Sequence, residues 1–427
     1  MPAAQQGHAA AIYQFWWFES GNLLLHDGYP GEHPPPRESA GVGFITHSQS
    51  RKKLLPPVST PFRVVIACGG TGGHLFPGLA VAETLKQRGH EILLIVSEKS
   101  IDSIALKAHP EFRAEKLPSI GMPSVLSPAF VRFLRRSWES LGHCRDVYRR
   151  FRPSAVLGMG GFTSTAPLLA GRMQKLPTFI HESNAIPGRA NKLAAKFVTK
   201  ALLGFGACGQ YFEGKSYAVT GTPVRKNLGG AIPRDEALTA LKLDPSRKTL
   251  LVMGGSQGAA GLNQAIFKCA PLWVDQPVQI IHLTGDRDDR LAAANYQREH
   301  LPHYVAPFHH KMEEVYSAAD LVISRAGASS LSELSQFGLP SILVPYPYAT
   351  DDHQTANANV FIEAGAAELV QESKIAPDSF GVLVTNLLTN DRRREQMAAA
   401  ARAILPHDAA GNVADEVEKA VREAQAQ

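Results

Sequence analysis

Two glycine-rich loops carry the residue types that bind phosphate, and they occupy matching positions in the two halves of the chain. The first, GGTGGH, spans 69–74 and the second, GGSQG, spans 254–258. Each follows an apolar strand and opens a helix, which points free backbone N–H groups and the helix dipole at an anion. Neither loop matches GxGxxG or carries a P-loop lysine, so dinucleotide redox binding is disfavoured. The pair predicts diphosphate or nucleotide chemistry.

Three side chains near these loops are candidates for catalysis or sugar binding. His74 ends the first loop and could act as a general base near neutral pH, or could be a helix-start histidine satisfied by backbone. Asn184 follows a predicted strand, a usual place for ligand contacts, although local turn capping explains it too. Glu333, one turn into a helix, could accept both hydroxyls of a ribose, or could be a capping carboxylate stabilised by the dipole.

Other motifs suggest different chemistry. The second loop also fits the GxSxG of a hydrolase with Ser256 as nucleophile, but that reading leaves the first loop and Arg225 without roles. A DxD at 286–288 and the cluster Asp351, Asp352 and His353 are candidate metal ligands. Hard-metal sites need several convergent oxygens, and neither cluster has an identifiable partner. We expect both to be ordinary loop residues.

Short apolar runs alternate with helical patterns, which predicts an α/β protein with two Rossmann-like, doubly wound domains facing a cleft. In the first half, strands are predicted at 63–67, 91–96, 155–157, 178–181 and 200–203, with a helix over 77–88. In the second half, strands are predicted at 249–253, 278–283, 303–306, 321–324 and 341–344, with helices over 259–270, 311–318 and 330–337. The expected domains are 62–222 and 223–405, with a C-terminal helix in 406–427 packing back on the first.

Composition excludes several classes. The 427 residues are 44% hydrophobic and 19% charged, which excludes disordered, fibrous and coiled-coil classes for the bulk of the chain. The net charge of +5 is too small for a chain of this length to predict a nucleic-acid partner. The four cysteines form no CxxC pair, which argues against a disulfide framework or zinc site and favours a reducing cytoplasm. No apolar run is long enough to span a membrane. Residues 1–61, with a triple proline at 34–36, are expected to be a disordered or mis-started extension.

Jointly the motifs resemble those of the MurG family, from about Arg63 to the C terminus. They are GGTGGH (69–74), GMGGFTS (158–164), HESNAIPGRAN (181–191), PVR (223–225), GGSQGA (254–259), SRAGASSLSEL (324–334) and HQTANA (353–358). The resemblance implies a GT-B fold and inverting transfer of GlcNAc, without metal or other cofactor, from UDP-GlcNAc to the C4 hydroxyl of the muramoyl sugar in lipid I, forming lipid II. Another UDP-sugar enzyme of that fold, such as a glycolipid synthase or a UDP-GlcNAc 2-epimerase, and a nucleotide-binding regulator remain alternatives.

The resemblance also implies roles for individual residues. It makes His74 the favoured base, with Asn184 and Glu333 as further catalytic candidates. The implied donor-binding residues are Thr71, Gly72, Gly73, Asn184, Arg225, Ser256, His309, Ala328, Ser329, Ser330, Leu331, Ser332, Glu333, Gln354 and Asn357. In that set Ser256 would hold the phosphates, Glu333 the ribose, and Gln354 and Asn357 the GlcNAc hydroxyls. His309 stands where the family commonly has an aliphatic residue against uracil, so its contact is expected through backbone atoms; Ser183 and Thr222 are milder departures.

A basic, aromatic-rich stretch at 130–153 has the pattern of a membrane-docking surface. Residues 131–153 hold seven arginines and two acidic residues, interleaved with Phe130, Phe133, Leu134, Trp138, Leu141 and Tyr148. Apolar anchors among arginines are typical of a surface that binds anionic headgroups. The alternative is an amphipathic helix packed on the sheet with a solvated basic face. Together with the resemblance, this pattern predicts a peripheral enzyme on the cytoplasmic face of the bacterial inner membrane. The resemblance also implies lipid I and other cell-wall synthesis proteins as partners. It further implies that the 158–164 loop helps to hold the lipid diphosphate.

Overall fold

The computed structural model describes residues 61–426 apart from 100, 101, 103–105, 108, 119–122, 124–126, 226, 227, 229, 256 and 257. The extension expected over 1–61 therefore lies outside the described residues, except for Pro61. All described residues belong to one unit of the chain, Leu55–Gln427.

Seven parallel strands form the first sheet, in the order β3-β2-β1-β4-β5-β6-β7. These strands are β1 (Arg63–Ala67), β2 (Glu91–Ser97), β3 (Arg113–Leu117), β4 (Ala155–Gly158), β5 (Thr178–Glu182), β6 (Lys200–Leu203) and β7 (Tyr217–Val219). The helices of this half are α1 (Gly72–Gln87), α2 (Pro128–Phe151), α3 (Thr165–Met173) and α4 (Arg189–Ala194). Residues Val64 to Ala67 are fully buried because helices cover both faces of the sheet, as in other parallel sheets.

Six parallel strands form the second sheet, in the order β10-β9-β8-β11-β12-β13. They are β8 (Lys248–Met253), β9 (Val278–Leu283), β10 (His303–Ala306), β11 (Leu321–Ser324), β12 (Ser341–Leu343) and β13 (Ala367–Leu369). The helices of this half are α5 (Arg234–Ala240), α6 (Ala260–Cys269), α7 (Asp289–Arg298), α8 (Met312–Ala318), α9 (Ala328–Phe337), α10 (His353–Glu363), α11 (Pro377–Thr389) and α12 (Asp391–Ile404), and the chain ends with α13 (Ala409–Gln425). The two doubly wound sheets confirm the predicted fold class.

The first helix begins earlier than the sequence pattern predicts. The carbonyl of Thr71 accepts hydrogen bonds from the backbone N–H groups of His74 and Leu75, so helical turns form within the glycine loop, ahead of Pro77. The prediction of a start at Pro77 was wrong: it relied on the preference of proline for the first helical position, whereas Pro77 lies inside α1, which begins at Gly72. His74 consequently sits in the first turn of α1.

The chain crosses between the two halves at 220–225 and again before α13, which packs on α1. Arg88 pairs with Asp415 and Glu418, and Nε2 of the buried His90 lies 3.1 Å from Oε1 of Glu418. Gly221 adopts φ +79°, and a Cβ there would lie 3.0 Å from Cβ of Ala409. A glycine at this position therefore lets the two crossings touch.

The strand order reverses at β1/β4 in the first sheet and at β8/β11 in the second. Open α/β sheets bind ligands at such points, outside the carboxyl ends of the strands. The loops that follow these four strands are the glycine-rich 69–74, 158–164, 254–259 and the small-residue turn 325–328.

Candidate active site

His74 is held between two glycine-rich turns of the first half. Its Nδ1 lies 3.2 Å from Oγ1 of Thr71, the residue that caps α1. On the other side a Cβ on Gly160 would lie 2.9 Å from Nε2 of His74, and one on Gly161 3.1 Å from Cε1. Both glycines also have positive φ. The GMGG motif is thus needed locally to let the imidazole lie against the 158–164 loop.

The surroundings of His74 keep its imidazole neutral. Burial lowers its pKa to about 4, against the opposing effect of Asp102 and with a further contribution from Lys99. A neutral imidazole at physiological pH can accept a proton, which is the state a general base needs.

Asp102 is a buried carboxylate that the sequence analysis missed. Its Oδ2 accepts hydrogen bonds from the backbone N–H groups of Gly70 (3.0 Å) and Ser97 (2.8 Å), while Lys99 Nζ donates to the Gly70 carbonyl (2.7 Å). Both the N–H and the carbonyl of Gly70, whose φ is +113°, are therefore hydrogen-bonded to side chains. No local motif marks Asp102, because its partners come from the ends of two strands.

A cavity of about 430 Å³ lies between the two halves and brings together many of the predicted donor residues. Its lining from the first half and the crossing is Thr71, Gly72, Gly73, Phe76, Pro77, Pro223, Val224 and Arg225. Its lining from the second half is Met253, Gly255, Leu283, Pro307, Phe308, Met312, Tyr316, Ser329, Ser330 and Glu333. Phe76, Phe308 and Tyr316 were not predicted; they carry no motif of their own and are found only through the cavity.

Arg225 and Glu333 form the charged wall of this cavity. The Arg225 guanidinium stacks over the Phe76 ring at 4.9 Å, and its Nη2 lies 3.8 Å from Oε1 of Glu333. Tyr316 donates a 2.6 Å hydrogen bond to Oε2 of Glu333, which leaves Oε1 toward the arginine. Burial raises the pKa of Glu333, and Tyr316 and Arg225 act in the opposite direction.

The start of α9 contributes backbone as well as side chains. Ser329 and Ser330 line the cavity, whereas Leu331 is fully buried in the hydrophobic core and Ser332 donates its hydroxyl to the Ala328 carbonyl. Leu331 and Ser332 can therefore reach a ligand only through backbone groups. The helix N-terminus at Ala328 remains a favourable place for an anion.

Asn184 and Asn357 meet directly across the two halves. Asn357 Nδ2 donates to Asn184 Oδ1 (3.1 Å) and to the Ala326 carbonyl, and Asn357 Oδ1 accepts from the Ala185 N–H. Asn184 also donates to the buried carboxylate of Glu182 through both its backbone and side-chain amides. The Asn357 amide is thus occupied within the protein, so its predicted contact with GlcNAc requires these bonds to exchange.

The remaining predicted residues lie apart from this wall. Gln354 Oε1 accepts from the Tyr346 N–H. His309 lies between the Tyr304 hydroxyl (2.9 Å) and Glu314 (3.1 Å), and its neighbour Phe308, not His309, lines the cavity. Ser256 lies outside the described residues, so both the phosphate-binding and the nucleophile readings of it stay predictions.

The acidic clusters considered as metal ligands are otherwise engaged. Asp288 accepts from Asn263 Nδ2 at 2.8 Å, and Asp351 lies 3.8 Å from Arg189. Within the described part of the chain, no group of three or more His, Cys, Asp or Glu side chains is placed to hold a metal ion.

Comparison with known proteins relates this geometry to a family. The Glycosyltransferase family 28 N-terminal domain matches residues 64–203, and the Glycosyltransferase family 28 C-terminal domain matches residues 249–414. A relative from Halothermothrix orenii is 37% identical over 352 residues, which are 80% of this chain and 94% of the relative. The chain belongs to the MurG family. That relative is named UDP-N-acetylglucosamine–N-acetylmuramyl-(pentapeptide) pyrophosphoryl-undecaprenol N-acetylglucosamine transferase.

Further members of the MurG family also match most of this chain. A relative of the same name from Geotalea uraniireducens is 34% identical and covers 83% of this chain and 97% of its own length. The crystal structure of MurG from Acinetobacter baumannii superposes with a TM-score of 0.69 at 28% identity, over 84% of this chain and all of that one. A UDP-N-acetylglucosamine 2-epimerase from Listeria monocytogenes, at 14% identity and a TM-score of 0.60, shares the fold alone. Membership of the MurG family confirms the GT-B architecture predicted from the motifs.

Proposed function

We propose that this chain transfers GlcNAc from UDP-GlcNAc to the C4 hydroxyl of the muramoyl sugar of lipid I, with inversion, and so makes lipid II for peptidoglycan synthesis. The observation that carries the proposal is the cavity between the two sheets. One wall is the loop that leads into His74 and the other holds Glu333, and Arg225 from the crossing pairs with Glu333 while it stacks over Phe76 of the first half. A nucleotide sugar lying between these walls would present its anomeric carbon to the first half.

The donor fits the second half through its ribose and phosphates. Glu333 Oε1, not used by Tyr316, would accept from the ribose hydroxyls, and Arg225 beside it would balance the local charge. The diphosphate would lie toward Gly255 and the start of α9, which line the cavity, because a helix N-terminus favours an anion. We propose no cofactor: charge that develops on the departing UDP would be stabilised by these preorganised donors.

His74 would then act on the acceptor. The Thr71 hydroxyl can accept a hydrogen bond from Nδ1–H, which leaves the lone pair on Nε2. Nε2 would take the proton of the C4 hydroxyl as that oxygen attacks the anomeric carbon, while the bond from that carbon to the β-phosphate oxygen breaks. Attack from the face opposite UDP inverts the anomeric centre.

A transfer assay tests the proposal. Purified protein with UDP-GlcNAc and a lipid I analogue, in EDTA, is expected to yield UDP and the β-linked disaccharide in equal amounts, as resolved by chromatography. Release of free GlcNAc or of ManNAc in place of the disaccharide would indicate a hydrolase or an epimerase. No disaccharide from folded protein that binds UDP would contradict the proposal.

We also propose that the first half docks on an anionic membrane surface through the N-terminal part of α2. Among the described residues, no helix combines the length and hydropathy needed to cross a bilayer. The C-terminal part of α2 packs into the core through Cys144, Val147 and Phe151, and Leu141 and Tyr148 are buried with them. The last two cannot be the anchors the sequence pattern suggested. Trp138, 72% exposed, lies on the N-terminal part.

Arginines on the same N-terminal part of α2 as Trp138 provide the test of docking. Each basic residue near an anionic surface contributes about 1 kcal/mol. Arg132→Gln with Arg135→Gln is expected to weaken binding to phosphatidylglycerol-containing vesicles by roughly 30-fold in sedimentation at low salt. The control, Arg149→Gln with Arg150→Gln, removes the same charge at the core-packed end of α2 and should have a much smaller effect. Equal losses in both pairs would indicate unspecific attraction.

A further inference from the structure

A buried carboxylate with one unused oxygen lies behind the first glycine-rich loop. Asp102 is fully buried, and its Oδ2 accepts hydrogen bonds from the backbone N–H groups of Gly70 and Ser97 and from the Ser97 hydroxyl. Its Oδ1 is also buried and has no hydrogen-bond partner among the described residues. Burying a carboxylate is costly unless it is paired and its oxygens are hydrogen-bonded. The charge of Asp102 therefore adds little to stability and needs another explanation.

Lys99 holds the same glycine from the other side. Its Nζ donates a 2.7 Å hydrogen bond to the Gly70 carbonyl, so side chains of opposite charge bind the N–H and the carbonyl of one residue. Gly70 has φ +113°, a conformation that other residues rarely adopt. The preceding residue is packed as closely, because a Cβ on Gly69 would lie 2.8 Å from Oδ2 of Asp102. The start of the loop is thus fixed in one backbone conformation.

Gly70 leads directly into the residues that face the reaction. The carbonyl of Thr71 accepts the first hydrogen bonds of α1, and its Oγ1 lies 3.2 Å from Nδ1 of His74. A rotation of the backbone at Gly70 would therefore move Thr71, and with it the hydroxyl that orients the imidazole. Misplacing a reacting group by about 1 Å can lower a rate by about 100-fold.

We propose that Asp102 and Lys99 are positioning residues for transfer, which hold Gly70 so that Thr71 keeps the His74 imidazole in its reactive orientation. The inference rests on the proposed function, because His74 is the base there. Neither side chain lines the donor cavity, so neither needs to contact the donor. Charge-assisted hydrogen bonds are roughly twice as strong as neutral ones, which explains a carboxylate where an amide of the same shape would cost less to bury.

Asp102→Asn tests the inference, because it keeps the shape of the side chain and removes its charge. We expect kcat for transfer to fall by about 10- to 100-fold. Calorimetric UDP affinity should change little, because Arg225 and Glu333 are untouched. The melting temperature should stay the same or rise, since a neutral amide is less costly to bury than a carboxylate.

Asp320→Asn is the matched control. Oδ2 of Asp320 also accepts a backbone N–H, from Thr249 at 2.7 Å, and it pairs with Arg234. Asp320 precedes β11, at the end of the strand away from the donor cavity. Its variant should therefore lower the melting temperature and leave kcat unchanged, the reverse of the result expected for Asp102→Asn.

Lys99→Met separates positioning from a direct effect of charge on the base. Asp102 raises the pKa of His74 and Lys99 lowers it, so an effect through charge alone would change kcat in opposite directions in the two variants. Positioning instead predicts a loss of kcat in both, smaller for the exposed Lys99. The control is Lys86→Met, which removes a 3.0 Å hydrogen bond from an ammonium group to the Glu111 carbonyl and should leave kcat unchanged.

The His74→Ala background shows whether Asp102 acts through the imidazole. If it does, Asp102→Asn should lower single-turnover transfer no further in that background. A further loss there, opposite effects of the two single variants, normal kcat in both, or a loss of kcat that accompanies a fall in melting temperature would overturn the inference. Normal kcat in His74→Ala, or no transfer by the wild-type protein, would instead contradict the proposed function and its base.

Discussion

Replacing His74 by alanine is expected to lower kcat for transfer by about 10²- to 10⁴-fold, the usual contribution of a general base. UDP affinity should change little, because the imidazole faces the 158–164 loop and the donor wall is formed by Arg225 and Glu333. Single-turnover transfer and calorimetric UDP binding measure the two quantities separately. An alanine variant with near-normal kcat would remove His74 as the base.

The pH profile gives an independent readout of the same residue. The pKa of His74 is lowered from 6.5 to about 4 by burial, so the active neutral form persists as pH falls through 6.5. With saturating donor, kcat should therefore decline only as pH approaches about 4. A decline centred near 6.5 would indicate a solvent-exposed base elsewhere.

The substitution Gly160→Ala tests in a second way whether kcat depends on the position of the His74 imidazole. The added methyl group would lie 2.9 Å from Nε2 of His74 in a backbone conformation with φ +114°, so the ring must move. We expect a loss of kcat with UDP binding retained. Gly206→Ala, where a Cβ would meet no neighbour, is the control for a glycine substitution in the same half.

Glu333→Gln is expected to raise the KM for UDP-GlcNAc by roughly 10- to 100-fold with a smaller effect on kcat. Hydrogen bonds to a charged acceptor contribute about 1.5–3 kcal/mol, and the neutral amide would forgo most of that. Because burial raises the pKa of Glu333, the wild-type KM should also rise on acidification at a higher pH than an exposed glutamate would cause. The glutamine variant should lack this pH dependence.

A donor analogue identifies the contact. Wild-type protein should discriminate against 2′-deoxyuridine diphosphate-GlcNAc, and Glu333→Gln should lose most of that discrimination. Tyr316→Phe, which removes the 2.6 Å hydrogen bond but keeps the carboxylate, should retain it. Equal discrimination by wild type and Glu333→Gln would show that the ribose is held elsewhere.

Much of the fold was predictable because the signals are local. The strands at 63–67, 278–283, 303–306 and 321–324 have the bounds that apolar runs between turns predict. Helix α1 begins earlier than predicted. The glycines after Thr71 have the composition of a loop, but they belong to the helix because the Thr71 carbonyl accepts its first hydrogen bonds. Strands β3, β7 and β13 were not predicted, because Arg113–Leu117 at one sheet edge is polar and the other two have three residues each.

The candidate site was predictable only in part. Motifs indicated Thr71, His74, Arg225 and Glu333, because glycines with positive φ and helix starts leave a local pattern in sequence. They did not indicate Asp102 or Tyr316, whose partners lie on other elements. They also placed Leu331 among the donor-binding residues and Leu141 and Tyr148 among the membrane anchors, although packing buries all three side chains.

The sequence by itself determined the two α/β halves, the glycine-rich loops and the family, since periodicity and motif spacing are properties of consecutive residues. Only the tertiary structure decided which distant residues meet. Asn184 and Asn357 are 173 positions apart and share a hydrogen bond, and Arg225 stacks on Phe76 from the other half. The same packing divides α2 into a buried end and an exposed end. These contacts depend on how two sheets are joined at the crossings, and that geometry leaves no periodic trace in the chain.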